Sequence, residues 1–151
     1  MLAHAKAACP DLPISVEIEK LRPQIDVLFE HTDLLLCSRG YAQHREFDEP
    51  DAFLRDLRTQ AVGPELVCTW GGLGAWAMDR QDRIVYNPAF PPPSLTDTLG
   101  AGDAFNAGII DARVRGLPLQ DALAAACRLA GRKCGQEGFA GLARAPAPED
   151  H

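Results

Sequence analysis

The chain has 151 residues, 46% of them hydrophobic, and a formal net charge of −6, which suits one compact domain and argues against a disordered chain. Without a basic run or an aromatic-basic stripe it carries no electrostatic footprint for nucleic acid or an anionic membrane, so any anion binding is local. Five cysteines, Cys9, Cys37, Cys68, Cys127 and Cys134, are odd in number and form no CxxC, which favours reduced thiols acting as small hydrophobes over a disulfide framework or zinc site. The amino terminus lacks the apolar core of a leader and no later run reaches membrane-span length, so the expectation is a soluble, cytoplasmic protein.

Residues 1–13 have weak helical composition broken by Cys9-Pro10 and Leu12-Pro13 and are read as a loose segment. Ile14, Val16 and Ile18 alternate with Ser15, Glu17 and Glu19, predicting a strand with one wet face near a sheet edge. A short helix is predicted after Arg22-Pro23 through Phe29, then an apolar strand, Leu34 to Cys37. Ser38 to Asp48 is polar and is placed beyond that strand's carboxyl end, the side on which open parallel sheets bind ligands. A helix from about Glu49 to Gln60 turns Phe53, Leu54 and Leu57 inward, and Glu65 to Thr69 forms a third strand. Ala75 to Met78 and Ile84 to Tyr86 flank a polar turn and read as a hairpin. Pro88 to Pro93 is a stiff extended connection, followed by helices at Asp103 to Arg115 and Leu119 to Cys134, separated by Gly116-Leu117-Pro118. Residues 144–151 are read as a disordered tail. The alternation predicts an α/β fold in three layers, its sheet mostly parallel with one antiparallel hairpin.

Within this frame, Asp97-Thr98-Leu99-Gly100-Ala101-Gly102-Asp103 concentrates the chemistry. Gly100 and Gly102 let the backbone approach a ligand, and the free N–H groups of the helix that follows attract anions. Such a loop can hold phosphate oxygens beside the Asp103 carboxylate, an arrangement suited to phosphoryl transfer onto a hydroxyl. A glycine-rich turn capping a structural helix is the plainer alternative. Other nucleotide motifs fit worse: a G-x-G-x-x-G fingerprint fails at its third glycine, and no P-loop G-K-[ST] occurs.

Residues 97–103 resemble the D-T-x-G-A-G-D signature of the PfkB (ribokinase-like) carbohydrate kinases, with every fixed position present. Phe90-Pro91-Pro92-Pro93, Phe105-Asn106-Ala107, Ala130-Gly131-Arg132-Lys133-Cys134-Gly135, Gly138-Phe139 and Ser15-Val16-Glu17-Ile18-Glu19-Lys20 extend the similarity toward the ketohexokinase (fructokinase) branch, over about Ile14 to Gly141. The resemblance implies a ribokinase-like fold that uses ATP and Mg2+ to phosphorylate a sugar, with a ketose such as fructose as acceptor. It implies that Asp103 meets the sugar hydroxyl and is the catalytic base, and that Gly100, Ala101 and Gly102 form an anion hole for the γ-phosphoryl group. Thr69-Trp70-Gly71-Gly72-Leu73-Gly74 resembles the family's T-L-G-x-x-G segment, with Trp70 for leucine, which makes Thr69, Gly71 and Gly74 nucleotide contacts; glycines after a strand also serve as plain turns. Gly131, Cys127 and Cys134 fall in the segment that lines the adenine pocket, with core packing as the competing role for the cysteines.

Asp97 is implied in binding a monovalent cation, K+, with carbonyls of Gly135 to Gly138; its alternative is a hydrogen bond that holds the loop. The family's N-x-x-E segment would fall at Ser38-Arg39-Gly40-Tyr41 and is absent, which leaves Mg2+ to the phosphates and water. The resemblance covers the carboxyl-terminal half of such a kinase, residues 14–143, so the chain is expected to be truncated on its amino-terminal side, without the half that presents the sugar. That implies pairing with the missing half, or a homodimer. The rival expectation is a truncated, non-catalytic nucleotide-binding or interaction module that uses the sheet edge left open.

Overall fold

A computed structural model describes residues 2–142. Its sheet runs in the order β1 (Ser15–Ile18), β2 (Leu34–Ser38), β3 (Glu65–Thr69), β4 (Ala75–Met78) and β5 (Ile84–Asn87). The first three strands are parallel; β4 is antiparallel to β3, and β5 to β4. The predicted hairpin and the edge position of the first strand are both present. The helices are α1 (Leu2–Ala8), α2 (Arg39–His44), α3 (Pro50–Gln60), α4 (Ala101–Val114) and α5 (Leu119–Cys134).

The apolar run of β2 follows from burial on both faces. Leu35 and Cys37 join a core with Phe29, Tyr41 and the Phe53, Leu54 and Leu57 of α3. Leu34 and Leu36 join the opposite core, built from Phe105, Ile109 and Ala112 of α4 and Ala122, Leu123 and Ala126 of α5. The result is the expected three-layer α/β fold. Gly108 allows α4 and α5 to meet closely, since a Cβ there would lie 3.0 Å from the Ala126 Cα. Cys37 and Cys68 sit opposite each other on β2 and β3, and burial pushes both thiols up, Cys68 to about 12. They are packing residues with little thiolate at neutral pH.

Two side-chain contacts fix the direction of α4. Asn106 Nδ2 donates to Glu17 Oε1 on β1 at 2.7 Å, whereas Arg113, near the other end of the helix, pairs with Glu65 at the start of β3 at 2.8 Å. The N-terminus of α4 therefore lies at the carboxyl edge of the parallel strands.

Three local expectations differ. Residues 2–8 form a helix, tied down by Lys6 Nζ to Asp33 Oδ2 at 2.7 Å and to the Leu12 carbonyl at 2.9 Å, although none of its residues is buried. The short helix predicted after Arg22-Pro23 is present as a 3-10 helix, Ile25–His31, which ends two residues beyond Phe29. Its N-cap Gln24 is left-handed, with φ 60°, and makes no side-chain capping bond. The polar stretch after β2 contains α2, whose N-cap Ser38 Oγ accepts from Tyr41 N at 3.1 Å while Tyr41 and Ala42 enter the core. The expected tail, residues 144–151, lies outside the described residues.

Candidate functional site

Helix α4 starts at Ala101, two residues earlier than the sequence predicts, so Gly100 is its N-cap and Asp103 stands in its first turn. Gly100 has φ 79°, the left-handed region that glycine enters without steric cost. Ala101 N donates to the Thr98 carbonyl at 3.2 Å and Ala104 N to the Gly100 carbonyl at 2.9 Å. The N–H groups of Gly102 and Asp103 lie too early in the helix for an intrahelical acceptor. Both residues are exposed. Gly102 has no packing reason to be glycine: a Cβ there would meet no atom within 4 Å, and its φ is not positive.

The loop that delivers the chain to Gly100 is held from behind by a buried cation. Lys133, in the last turn of α5, is 0% exposed, and its Nζ donates to Asp97 Oδ2 at 2.7 Å and to the Asp97 carbonyl at 3.1 Å. The Gln136 carbonyl lies 3.5 Å from the same ammonium, and the Phe139 ring centroid lies 5.4 Å away. Asp97 Oδ1 accepts from Leu99 N at 2.9 Å, the loop-holding bond foreseen for this aspartate. The Lys133 hydrogen bond, reinforced by the Leu99 and Gly138 N–H groups, holds the Asp97 carboxyl below the usual carboxylate range. The residues do not fit the K+ site implied for Asp97 and Gly135 to Gly138. The Asp97 carboxylate and carbonyl and the Gln136 carbonyl already face the Lys133 ammonium.

The expected nucleotide contacts divide in two. Thr69 ends β3 at the carboxyl edge, and Gly71, with φ 60°, opens an exposed 3-10 turn, Gly71–Leu73. Gly74 has φ 109° and packs so tightly that an added Cβ would lie 2.2 Å from the Asn87 carbonyl oxygen. Buried Cys127 reaches that same carbonyl, its Sγ 3.8 Å away. A Cβ at Gly131 would lie 2.1 Å from the Phe90 carbonyl oxygen. The Cys134 carbonyl accepts from Thr96 N at 2.8 Å and Asp97 N at 3.2 Å. Gly74, Cys127, Gly131 and Cys134 are thus drawn together by one strap, Asn87 to Asp97, that crosses α5 and ends at the loop. Close packing accounts for Gly74 and Gly131 as glycines, while Thr69 and Gly71 remain open to a ligand.

A shallow apolar cleft borders Asp103, lined by Ala104, Ala107, Leu129, Phe139 and Leu142. A larger cavity lies at the opposite edge of the sheet, among the Lys6–Asp33–Arg80 and Arg113–Glu65 ion pairs, and shares no residue with the loop. Among the described residues, no group of three or more His, Cys, Asp or Glu side chains could hold a metal ion, and no helix is long and apolar enough to cross a membrane.

The supporting roles of Lys133 and Phe139 escaped the reading of the sequence. Lys133 follows Ala126 by seven residues on the buried face of α5, so helical periodicity carried a signal. Its partner is 36 residues away in sequence, and no local pattern names it.

Comparison with known proteins gives this geometry a family. The chain is 40% identical over 141 residues to the ketohexokinase of Mus musculus, covering 92% of this chain and 47% of that protein. It superposes on the ribokinase of Arabidopsis thaliana complexed with ribose and ATP with a TM-score of 0.77 at 19% identity, covering 91% of this chain and 45% of that one. For the ribokinase of Cryptococcus neoformans var. grubii in complex with ADP the TM-score is 0.69 at 20% identity, with 91% and 50% covered. These two structural likenesses establish a shared fold, and the chain spans about half the length of the relatives it matches. The family model for pfkB family carbohydrate kinases matches residues 5–145, and the chain belongs to that family.

Proposed function

We propose that this chain supplies the nucleotide site, anion hole and catalytic base of an ATP-dependent sugar kinase that acts on a ketose such as fructose. The observation that carries the proposal is Gly102: a glycine in the first turn of a helix, exposed, with neither a positive φ nor a neighbour to forbid a side chain. Glycine costs helix stability there, and close approach of a ligand to the backbone explains its presence. The ligand chemistry follows from the helix start, where N–H groups and the macrodipole favour an anion.

In this reading Asp103 takes the proton from the acceptor hydroxyl as that oxygen attacks the γ-phosphorus. The N–H groups of Gly100, Ala101 and Gly102 stabilise the charge on the phosphoryl oxygens as the bond to the leaving ADP breaks. The Ala101 N–H exchanges its 3.2 Å bond to Thr98 for a charged oxygen, a stronger acceptor. Thr69 and Gly71 contact the nucleotide, and the Gly74, Cys127, Gly131 and Cys134 region walls its base. When bound, Mg2+ would supply neutralisation of phosphate charge, with the phosphates and water rather than side chains of this chain as its ligands. The ligand-bound ribokinases named above and the mouse ketohexokinase support nucleotide use and a ketose acceptor. The free cysteines suit a cytoplasmic setting.

An interaction-module reading has one observation in its favour. Among the described residues β1 pairs with β2 and no other strand, so its outer edge offers backbone groups to another chain, whether a sugar-presenting half or a second copy. ADP formation measured with ATP and Mg2+, with and without fructose, beside a nucleotide titration, separates the readings. Sugar-dependent ADP supports the kinase. Nucleotide binding without it favours the module, and absence of both overturns the nucleotide assignment.

A further inference from the structure

We propose that the Lys133 ammonium is the resident cation of the Asp97–Asp103 loop, a positioning residue that does the work of a bound alkali ion and makes the loop's order independent of one.

Lys133 and Thr32 are the buried polar or charged residues among those described, and Lys133 is wholly so. A lysine is rarely buried to this degree unless its charge is paired. Here the pairing is multiple. The ammonium meets one carboxylate oxygen, two carbonyl oxygens and an aromatic face, a set of donors that would equally suit a dehydrated monovalent cation. Four carbons of side chain tether it, so the cation cannot dissociate. It also lies in the last turn of α5, where the helix dipole favours positive charge.

The cation's position reaches the loop through short steps. Lys133 fixes Asp97 Oδ2, Asp97 Oδ1 holds Leu99 N at 2.9 Å, and the Thr98 carbonyl holds Ala101 N at 3.2 Å. Gly100 and the first turn of α4 therefore inherit their path from the ion pair. Removing the ammonium would leave Asp97 facing two carbonyl oxygens, an environment that a small free cation can refill and a bulky one cannot.

The experiment compares melting temperatures in KCl, NH4Cl and choline chloride at matched ionic strength. The wild-type chain should melt at the same temperature in all three. Lys133→Met should melt about 2–4 °C lower in choline, because the Asp97 carboxylate and the two carbonyl oxygens lose their shared donor, and should recover at least half of that loss, saturably, in NH4Cl or KCl. The Lys133→Met, Asp97→Asn double variant should lose the cation response. Cation-dependent melting of the wild type, an unresponsive single variant, or a single variant unfolded in every salt while the double variant folds would each overturn the proposal. A second readout, ADP affinity, rests on the kinase reading. It should fall about tenfold in Lys133→Met in choline and return with NH4Cl. Rescue of melting without any ADP binding would count against the phosphate assignment and leave the resident cation standing.

Discussion

Replacing Gly102 by alanine should move stability and function in opposite directions. The position is helical, its φ is compatible with alanine, and a Cβ would meet nothing within 4 Å. The substitution removes freedom from the unfolded chain and adds no strain, which is worth about 0.4–1 kcal/mol of stabilisation. For a domain of this size that raises the melting temperature by about 1–4 °C. If a phosphoryl group lies against the Gly102 N–H, the same methyl group stands where oxygen atoms must come. Loss of one such donor contact corresponds to roughly a 10²-fold drop in turnover, and nucleotide affinity should weaken with it. Thermal melting and an ADP titration on one preparation suffice, with a kinase assay where the chain turns over. A stabilised variant that keeps full nucleotide affinity would refute the idea that the glycine is reserved for a ligand. Gly100→Ala is the contrasting control. Its φ of 79° imposes about 1–2 kcal/mol of left-handed strain, while the tip of the Phe139 ring, 2.3 Å from the added Cβ, can rotate aside. That variant should lose stability and affinity together.

Two further outcomes follow from the supports behind the loop. Gly131→Ala places a Cβ 2.1 Å from the Phe90 carbonyl oxygen, backbone that cannot rotate away, so the strap must shift. A loss of about 1–3 kcal/mol is expected in denaturant melts, and a loss under about 0.5 kcal/mol would contradict the close approach. Acid should loosen the loop before it unfolds the core. The Asp97 carboxyl is held below its ordinary value of 3.8 by Lys133 and the Leu99 N–H, so its contribution is fully present above that value and disappears as pH falls through the lowered one. Amide exchange of Leu99 should therefore rise below about pH 4 relative to core amides such as Leu66. Equal protection of both down to global unfolding would count against the role of Asp97.

What the sequence made legible were the features whose cause is local. The alternation of Val16 and Ile18 with charged neighbours, the wholly apolar Leu34 to Cys37 and the glycines before Asp103 each encode their own surroundings. The mostly parallel sheet with its one hairpin followed from the alternation of strands and helices, and the structure adds the strand order. Three features were hidden for different reasons. Helix α2 has only Tyr41 and Ala42 as buried anchors, too few for a periodic signal, although Ser38 was a readable cap. The start of α4 lies two residues ahead of its sequence signal because glycine and alanine next to Asp103 resemble loop as much as helix. Lys133 was hidden by its chemistry: a lysine near a helix C-terminus ordinarily stays in water, and only the return of residues 96–97 to the end of α5 turns it inward.

That burial also decides what Asp103 can do. Asp97 and Lys133 cancel each other, so the loop presents to a ligand the partial positive charge of the α4 N-terminus and one carboxylate, which no cation pairs with among the described residues. An anchoring group for a polyphosphate would be positive. On the kinase reading, the Asp103 carboxylate repels the phosphate oxygens beside it, by about 1 kcal/mol at 4 Å in water-like surroundings, and the role proposed for it there is that of a base. Asp103→Asn removes the repulsion and the base at once. Nucleotide affinity should stay level or tighten by up to about fivefold, while any sugar-dependent turnover should fall by roughly 10²–10⁴. Weakened nucleotide binding with turnover preserved would assign Asp103 to holding the ligand, and the proton would then have to leave the sugar hydroxyl by another route.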